Sequence, residues 1–96
     1  MVVEVIIYLE SRIVALDLEL NNLHSLKAEF NGWCDDDEAM TQRRKSFAPV
    51  FSMFNKNLDT NLEIKSKYAF CDGDKIYVTW SPLQLEVIIF KLNTSL

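Results

Sequence analysis

The sequence predicts an α+β fold, in which a long N-terminal helix and a shorter, kinked helical segment pack on a small antiparallel sheet. Three observations support this prediction. Apolar residues recur at alternating spacings of three and four through the first thirty positions, and helical spacing returns over residues 47–58. From Leu62 onwards the spacing changes to two, which is typical of strands. We expect a single domain over residues 1–96, since the chain contains no linker, repeat or low-complexity segment.

The first predicted element is a helix over residues 2–31. Its apolar residues wind one narrow stripe along the helix, which is typical of a coiled-coil-like helix lying against another helix. Asn31 and Gly32 predict its end, because glycine readily adopts the left-handed conformation that ends helices. The β-branched residues among positions 2–7 are equally compatible with a strand. The stripe consists of Ile6, Leu9, Ile13, Leu16, Leu20, Leu23 and Phe30.

A second apolar stripe lies on the other side of the predicted helix and consists of Ile7, Val14 and Leu18. A helix that is apolar on two sides must be covered on both. We therefore expect one stripe to meet the sheet. The other would meet either the second helix of the same chain or another subunit, which makes a homodimer through the N-terminal helix one expectation.

The second helical segment is predicted over residues 35–58. The acidic run Asp35–Glu38 suits the start of a helix, with one of the aspartates as its N-cap. The basic residues Arg43–Lys45 would then lie further along the same helix. Pro49 either kinks this helix or lies in the first turn of a second, short helix.

The remaining elements are predicted to be strands. Residues 62–70 and 76–80 alternate apolar and polar side chains on either side of Asp72–Gly73, which predicts a hairpin with a tight turn. Residues 82–92 are compatible with two interpretations. Ser81 and Pro82 match a helix N-terminus, whereas the β-branched composition that follows favours a third strand with Pro82 in the connecting turn.

The composition indicates an acidic cytoplasmic protein, in the host cytoplasm if the protein is viral. The formal net charge is −4, and an acidic surface disfavours binding to phosphate backbones. We expect no secretory signal and no membrane span, because the N-terminus has no basic leader and no apolar run is long enough. Cys34 and Cys71 do not form a CxxC pattern and are expected to be free thiols.

No motif for catalysis, metal binding or a cofactor is present in the sequence. His24 is the only histidine, and no neighbouring pattern makes it a general base or a zinc ligand. The contiguous run Asp35–Glu38 does not have the alternating ligands of a calcium loop. The surroundings of Cys34 are expected to raise its pKa, which does not suit a nucleophile. We therefore expect a protein that is not an enzyme.

The function predicted from these features is protein–protein binding. Small acidic chains of this kind are often inhibitors, immunity proteins or antagonists of viral or mobile-element origin, which occlude a partner's surface. Exposed aromatic residues and an acidic helical face would supply the contacts. The predicted partner-binding residues are Leu9, Ile13, Leu16, Leu20, Leu23, Trp33, Asp35, Asp36 and Asp37.

Two alternatives remain open. The first is a nucleic-acid-associated regulatory factor that binds phosphates through Arg43, Arg44 and Lys45, the only basic cluster. The second is an oligomerising assembly subunit, whose activity is self-association.

Overall fold

A computed structural model, which describes residues 2–83, consists of one five-stranded mixed sheet and two short helices. The strand order in space is β2-β1-β5-β3-β4. Strands β1 and β5 pair in parallel, and the other neighbouring strands pair antiparallel. The elements are β1 (Val3–Leu9), β2 (Arg12–Leu18), α1 (Leu23–Asp35), α2 (Glu38–Arg43), β3 (Phe47–Asn55), β4 (Thr60–Glu63) and β5 (Asp74–Pro82).

The predicted N-terminal helix is wrong, because residues 3–18 form a β-hairpin. Alternate residues of β1 point to opposite faces of the sheet, so that Val5 and Leu9 are buried on one face while Ile6 lies on the other. The spacing of three and four arose from combining residues of both faces into one stripe. The α+β arrangement with a coiled-coil-like helix is therefore wrong, and the helix through which a homodimer was predicted does not form.

The β1–β2 hairpin closes through a two-residue turn, Glu10–Ser11. Glu10 has a positive φ of 54°, which is uncommon for a residue with a side chain. A positive φ at the first turn position is a feature of the hairpin turn types whose twist matches that of the strands. Glycine or asparagine usually occupies this position. The seven residue pairs from Val3–Leu18 to Leu9–Arg12 follow without a bulge. The turn is therefore determined by the pairing of its flanking strands.

Helix α1 begins at the cap residue Asn22, whose side-chain oxygen accepts a hydrogen bond from the Ser25 amide at 2.9 Å. It continues through Gly32, where the sequence predicted its end, to Asp35. Leu26, Phe30 and Cys34 of α1 are buried; they recur at every fourth position and so form one face of the helix.

Helix α2 confirms the predicted aspartate cap, but it is much shorter than predicted. The side chain of Asp37 accepts a hydrogen bond from the Met40 amide, and the helix ends at Arg43. The predicted helix over residues 47–58 is wrong, because β3 spans Phe47–Asn55. Pro49 is tolerated in this strand since β4 pairs only with Ser52–Asn55, which leaves the first half of β3 at an edge.

The predicted hairpin of residues 62–80 is wrong in its pairing. The strand over residues 76–80 forms as part of β5, and the turn at Gly73 forms with a φ of 84°. However, β3 lies between β4 and β5 in the sheet. Pro82 is the last residue of β5, where it pairs with Phe47, and does not lie in a turn. The predicted third strand lies outside the described residues from position 84 onwards.

The core lies between the helices and one face of the sheet. Phe30 of α1 is fully buried and contacts the rings of Trp33, Phe51 and Trp80, with centroid distances of 5.8, 5.2 and 6.1 Å. These contacts connect α1 with both β3 and β5. Within the described part of the chain, neither helix has the length and apolarity needed to cross a membrane.

Candidate protein-binding surfaces

Charged residues from four elements meet at the end of the sheet where β2 and β3 begin. Arg12 at the start of β2 donates to Asp37 at 2.6 Å. Arg43 pairs with Glu10 of the β1–β2 turn. Arg44 pairs with Asp35 at the end of α1. We call the six residues Glu10, Arg12, Asp35, Asp37, Arg43 and Arg44 the charged rim.

Two tryptophans lie beneath the charged rim. The guanidinium of Arg12 lies 5.5 Å from the centre of the Trp33 ring, and that of Arg43 lies 5.4 Å from Trp80. Both distances suit a cation–π interaction. Trp33 is half-buried, so it contributes to packing at the edge of the core and is less exposed than an interface anchor would be. The rim therefore ties α1, α2 and the hairpin together.

The basic cluster predicted to contact phosphates is largely occupied by carboxylates. Arg43 and Arg44 each form an ion pair within the rim, and the hydrogen bond that Arg44 donates to Asp35 raises the pKa of Arg44 above its ordinary value. Lys45 is exposed. The three residues thus lie together, but two of them have partners on the chain itself.

The structure separates the predicted partner-binding residues into three groups. Leu9 and Leu16 are buried, and Leu23 packs against the core. Ile13 and Leu20 are 67% and 61% exposed. Asp35 and Asp37 belong to the charged rim, Trp33 lies beneath it, and Asp36 is exposed. Only the exposed members are available for an apolar contact: Ile13 and Leu20.

Strand β2 is the longer of the two outer strands. It has seven residues, against four in β4, and its pairing with β1 is uninterrupted. Ile13, Ala15 and Asp17 alternate along β2 and are exposed. No strand pairs with the outer side of β2 within residues 2–83. This outer side, with its main-chain donors and acceptors, is here called the β2 edge.

The sheet face opposite the helices has an apolar surface of its own. The rings of Tyr8 and Tyr77 on neighbouring strands stack with a centroid distance of 5.0 Å and an interplanar angle of 20°. Ile6 and Val50 lie on the same face and are half-buried, while Phe54 is 51% exposed. We call these five residues the apolar patch, and the sheet surface that contains them the open face.

The apolar patch was not predicted from the sequence. The signal was present in β1, where Val3, Val5, Ile7 and Leu9 alternate with Glu4, Ile6 and Tyr8. A strand that is apolar at successive positions is typically covered on both faces. The helical interpretation of residues 2–31 concealed this signal.

Burial raises the pKa values of two further side chains, Cys34 and Tyr68. Cys34 is fully buried, and this burial raises the pKa of its thiol, as the sequence predicted. Tyr68 donates a hydrogen bond to Asp74, and desolvation together with this bond raises its pKa to about 12. His24 is exposed, and no group of three or more metal-ligating side chains occurs among the described residues.

Comparison of the chain with protein-family models, with curated proteins and with solved structures finds no match in any of the three.

Proposed function

We propose that this protein acts by binding another protein, and that an extended segment of the partner adds to the sheet at the β2 edge. The observation that supports this proposal is the long, regular outer strand Arg12–Leu18. An outer strand presents a row of main-chain groups on which another strand can form hydrogen bonds. Addition of a strand to such an edge is a common mode of peptide recognition.

The β2 edge has few of the features by which proteins protect an outer strand. Such features include short length, bulges, proline and charged side chains, particularly lysine. Strand β2 contains no proline, glycine or lysine, and its pairing with β1 has no bulge. Arg12, its only cation, is held by Asp37 and Trp33 on the helix side. An outer strand that lacks these protective features is open to pairing with a strand of another protein.

The side chains around the β2 edge indicate the chemistry of that partner. Ile13 and Ala15 are exposed at alternate positions and would pack against apolar side chains of an added strand. Asp17 and Glu19 are also exposed, and the chain as a whole has a net charge of −4. Apolar residues of the partner would face Ile13 and Ala15, and the negative net charge of the protein favours basic residues at the positions between them.

Binding at this edge provides a mechanism for an inhibitor or antagonist. A partner segment that pairs with β2 is held extended and is no longer available to its own contacts. The free thiols of Cys34 and Cys71 suit a reducing compartment, and we propose that the protein acts in the cytoplasm. The nucleic-acid alternative has less support, because Arg43 and Arg44 already pair with carboxylates.

The proposal is tested with two synthetic nine-residue peptides, one alternating valine with lysine and the other alternating valine with glutamate. Each is titrated into isotope-labelled protein while backbone amide resonances are followed. We expect the valine–lysine peptide to shift the resonances of β2 more than those of β4 at the opposite edge. Equal responses to the two peptides, or shifts centred outside β2, would overturn the proposal.

A matched pair of variants locates the effect. Ala15→Lys places a charge on the β2 edge, whereas Ala28→Lys makes the same change on the exposed surface of α1. We expect only Ala15→Lys to weaken the response to the valine–lysine peptide. Shifts in β2 that depend on protein concentration without any peptide would identify a second copy as the occupant, which contradicts a foreign partner.

A further inference from the structure

The hydrogen bonds of Glu4 determine which main-chain groups of β2 face outwards. The Glu4 amide donates to Asp72 Oδ1 at 2.9 Å, and the Glu4 carbonyl accepts a hydrogen bond from the Gly73 amide at 2.8 Å. Both main-chain groups of Glu4 therefore point away from β2. Since Glu4 lies directly opposite Asp17, these two residues form a pair without main-chain hydrogen bonds between them. The amide and carbonyl of Asp17 consequently point to the outer side of the sheet.

The same direction recurs at every second residue of β2. Hydrogen-bonded and non-hydrogen-bonded pairs alternate along an antiparallel ladder. The pairing of β1 with β2 has no bulge, so Ile13 and Ala15 share the orientation of Asp17. The two-residue turn agrees, because the hydrogen bond that closes such a turn makes Leu9 and Arg12 a bonded pair. An added strand would therefore bind the amides and carbonyls of Ile13, Ala15 and Asp17.

The side chains of these three residues lie in one row on the open face. All three are exposed. Ile13 and Ala15 are apolar and lie opposite residues of the apolar patch, whereas Asp17 lies opposite the exposed Glu4. A strand added at the β2 edge would therefore meet two apolar positions and one acidic position on the open face.

Glu4 and Asp17 form the acidic position of this row. Side chains of a pair without main-chain hydrogen bonds approach most closely, and like charges directly opposite each other destabilise the ladder. The ion pairs found among residues 2–83 all belong to the charged rim, and none includes Glu4 or Asp17. Lys75, on the same face, is separated from Asp17 by strand β1. A cation on the outer side of Asp17 would offset this repulsion.

Given the strand addition proposed above, on which this step rests, we propose that the added strand runs antiparallel to β2 and places a lysine or arginine opposite Asp17. Antiparallel pairs are slightly more stable than parallel ones, and opposite charges directly across a ladder stabilise it. The recognised segment then has a basic residue followed, at alternate positions, by two apolar residues that face Ala15 and Ile13. Asp17 determines this register.

Two seven-residue peptides of identical composition test the register. Threonine occupies the odd positions of both. At the even positions, lysine precedes two valines in the first peptide and lies between them in the second, where it would face Ala15. Each peptide is titrated into isotope-labelled protein at low ionic strength, where exposed charges are least screened. We expect the first peptide to bind about threefold more tightly, with resonance shifts centred on β2.

A matched pair of variants assigns the preference to Asp17. Asp17→Asn removes a carboxylate from the β2 edge, whereas Glu63→Gln removes one from an exposed position of β4, at the opposite edge of the sheet. We expect Asp17→Asn to abolish the preference for the first peptide and Glu63→Gln to preserve it. The urea midpoint of Asp17→Asn should equal or exceed that of the wild type, because the variant relieves the repulsion with Glu4.

The results of these titrations distinguish the register from strand addition itself. Equal binding of the two peptides with shifts in β2, or a preference that survives Asp17→Asn, overturns the basic residue opposite Asp17 and leaves strand addition intact. Tighter binding of a peptide with the reversed sequence of the first overturns the antiparallel direction. The absence of shifts in β2 with either peptide overturns both proposals.

Discussion

Asp37 binds Arg12 across 25 residues of sequence while it also caps helix α2. One carboxylate oxygen, Oδ1, accepts a hydrogen bond from the Met40 amide at 3.1 Å, and Oδ2 accepts one from Arg12 Nη1 at 2.6 Å. The same side chain thus starts the six-residue helix α2 and attaches it to the first residue of β2. A helix this short has little stability by itself, so such attachments determine whether it forms.

Replacement of Asp37 separates its two roles. We expect Asp37→Ala to lower the free energy of unfolding by about 1–2 kcal/mol, since it removes both the cap and the ion pair. Asp37→Asn preserves a capping oxygen and is expected to cost less, about 0.2–1 kcal/mol. The exposed Asp36 provides the control, because Asp36→Ala should change stability by no more than about 0.5 kcal/mol. Urea unfolding measures all three, and equal losses for the two Asp37 variants would assign the whole effect to the ion pair.

Phe30 is the side chain on which the attachment of α1 to the sheet depends most. It is fully buried and contacts rings from α1, β3 and β5. We expect Phe30→Ala to lower the free energy of unfolding by about 3–5 kcal/mol, because of lost burial and the cavity left behind. Leu58→Ala, at a residue that is 63% exposed, should stay within about 0.5 kcal/mol. A loss below 1 kcal/mol for Phe30→Ala would mean that α1 is not anchored through this ring.

The local features of the fold could be predicted from the sequence better than the pairing of its strands. The aspartate cap of α2, the turn at Gly73 and the strand over residues 76–80 are local, and each formed. The long N-terminal helix did not, because the β1–β2 turn has neither glycine nor asparagine and its Glu10 adopts the left-handed φ. Because no turn was visible in the sequence, the two seven-residue strands had the apolar spacing of one helix.

The order of the strands in the sheet could not be predicted from short stretches of the sequence. Strand β5 pairs with β1 in parallel, which joins residues about seventy positions apart, and the pairing is fixed by burial that no short window contains. The same contrast between local features and contacts distant in sequence applies to the candidate binding surfaces. Asp35, Asp37, Arg43 and Arg44 of the rim were singled out from the sequence, whereas the placing of Arg12 over Trp33 and of Arg43 over Trp80 depends on the fold.

The two glycines are expected to respond to alanine with opposite signs. Gly73 has a φ of 84°, and its amide donates to the Glu4 carbonyl at 2.8 Å. Alanine disfavours this conformation, so Gly73→Ala should lower stability by about 1–2 kcal/mol. Gly32 lies inside α1 with no heavy atom within 4 Å of an added Cβ. Gly32→Ala should therefore raise stability by about 0.5–1 kcal/mol, as measured by urea unfolding. Destabilisation by Gly32→Ala would contradict a regular helix at this position.

We expect the ionisation of Tyr68 to make the free energy of unfolding depend on pH in the alkaline range. Desolvation, followed by the hydrogen bond to Asp74, raises its pKa to about 12 in the folded protein, against about 10 in an unfolded chain. The folded state therefore binds the phenolic proton more tightly. The stabilisation of the folded state that follows from this tighter proton binding is fully present below pH 10 and is lost as the pH rises through 12.

The test compares the wild-type protein with Tyr68→Phe, which removes the titrating hydroxyl. Below pH 10 the variant should be the less stable of the two, because it lacks the hydrogen bond to Asp74. Between pH 10 and 12 the stability of the wild type should fall more steeply, so that the difference between the two proteins narrows. Urea midpoints measured across this range give the comparison, and tyrosinate absorbance follows the ionisation directly. Parallel curves through pH 12 would show that the Tyr68 hydroxyl ionises as readily in the folded protein as in the unfolded chain.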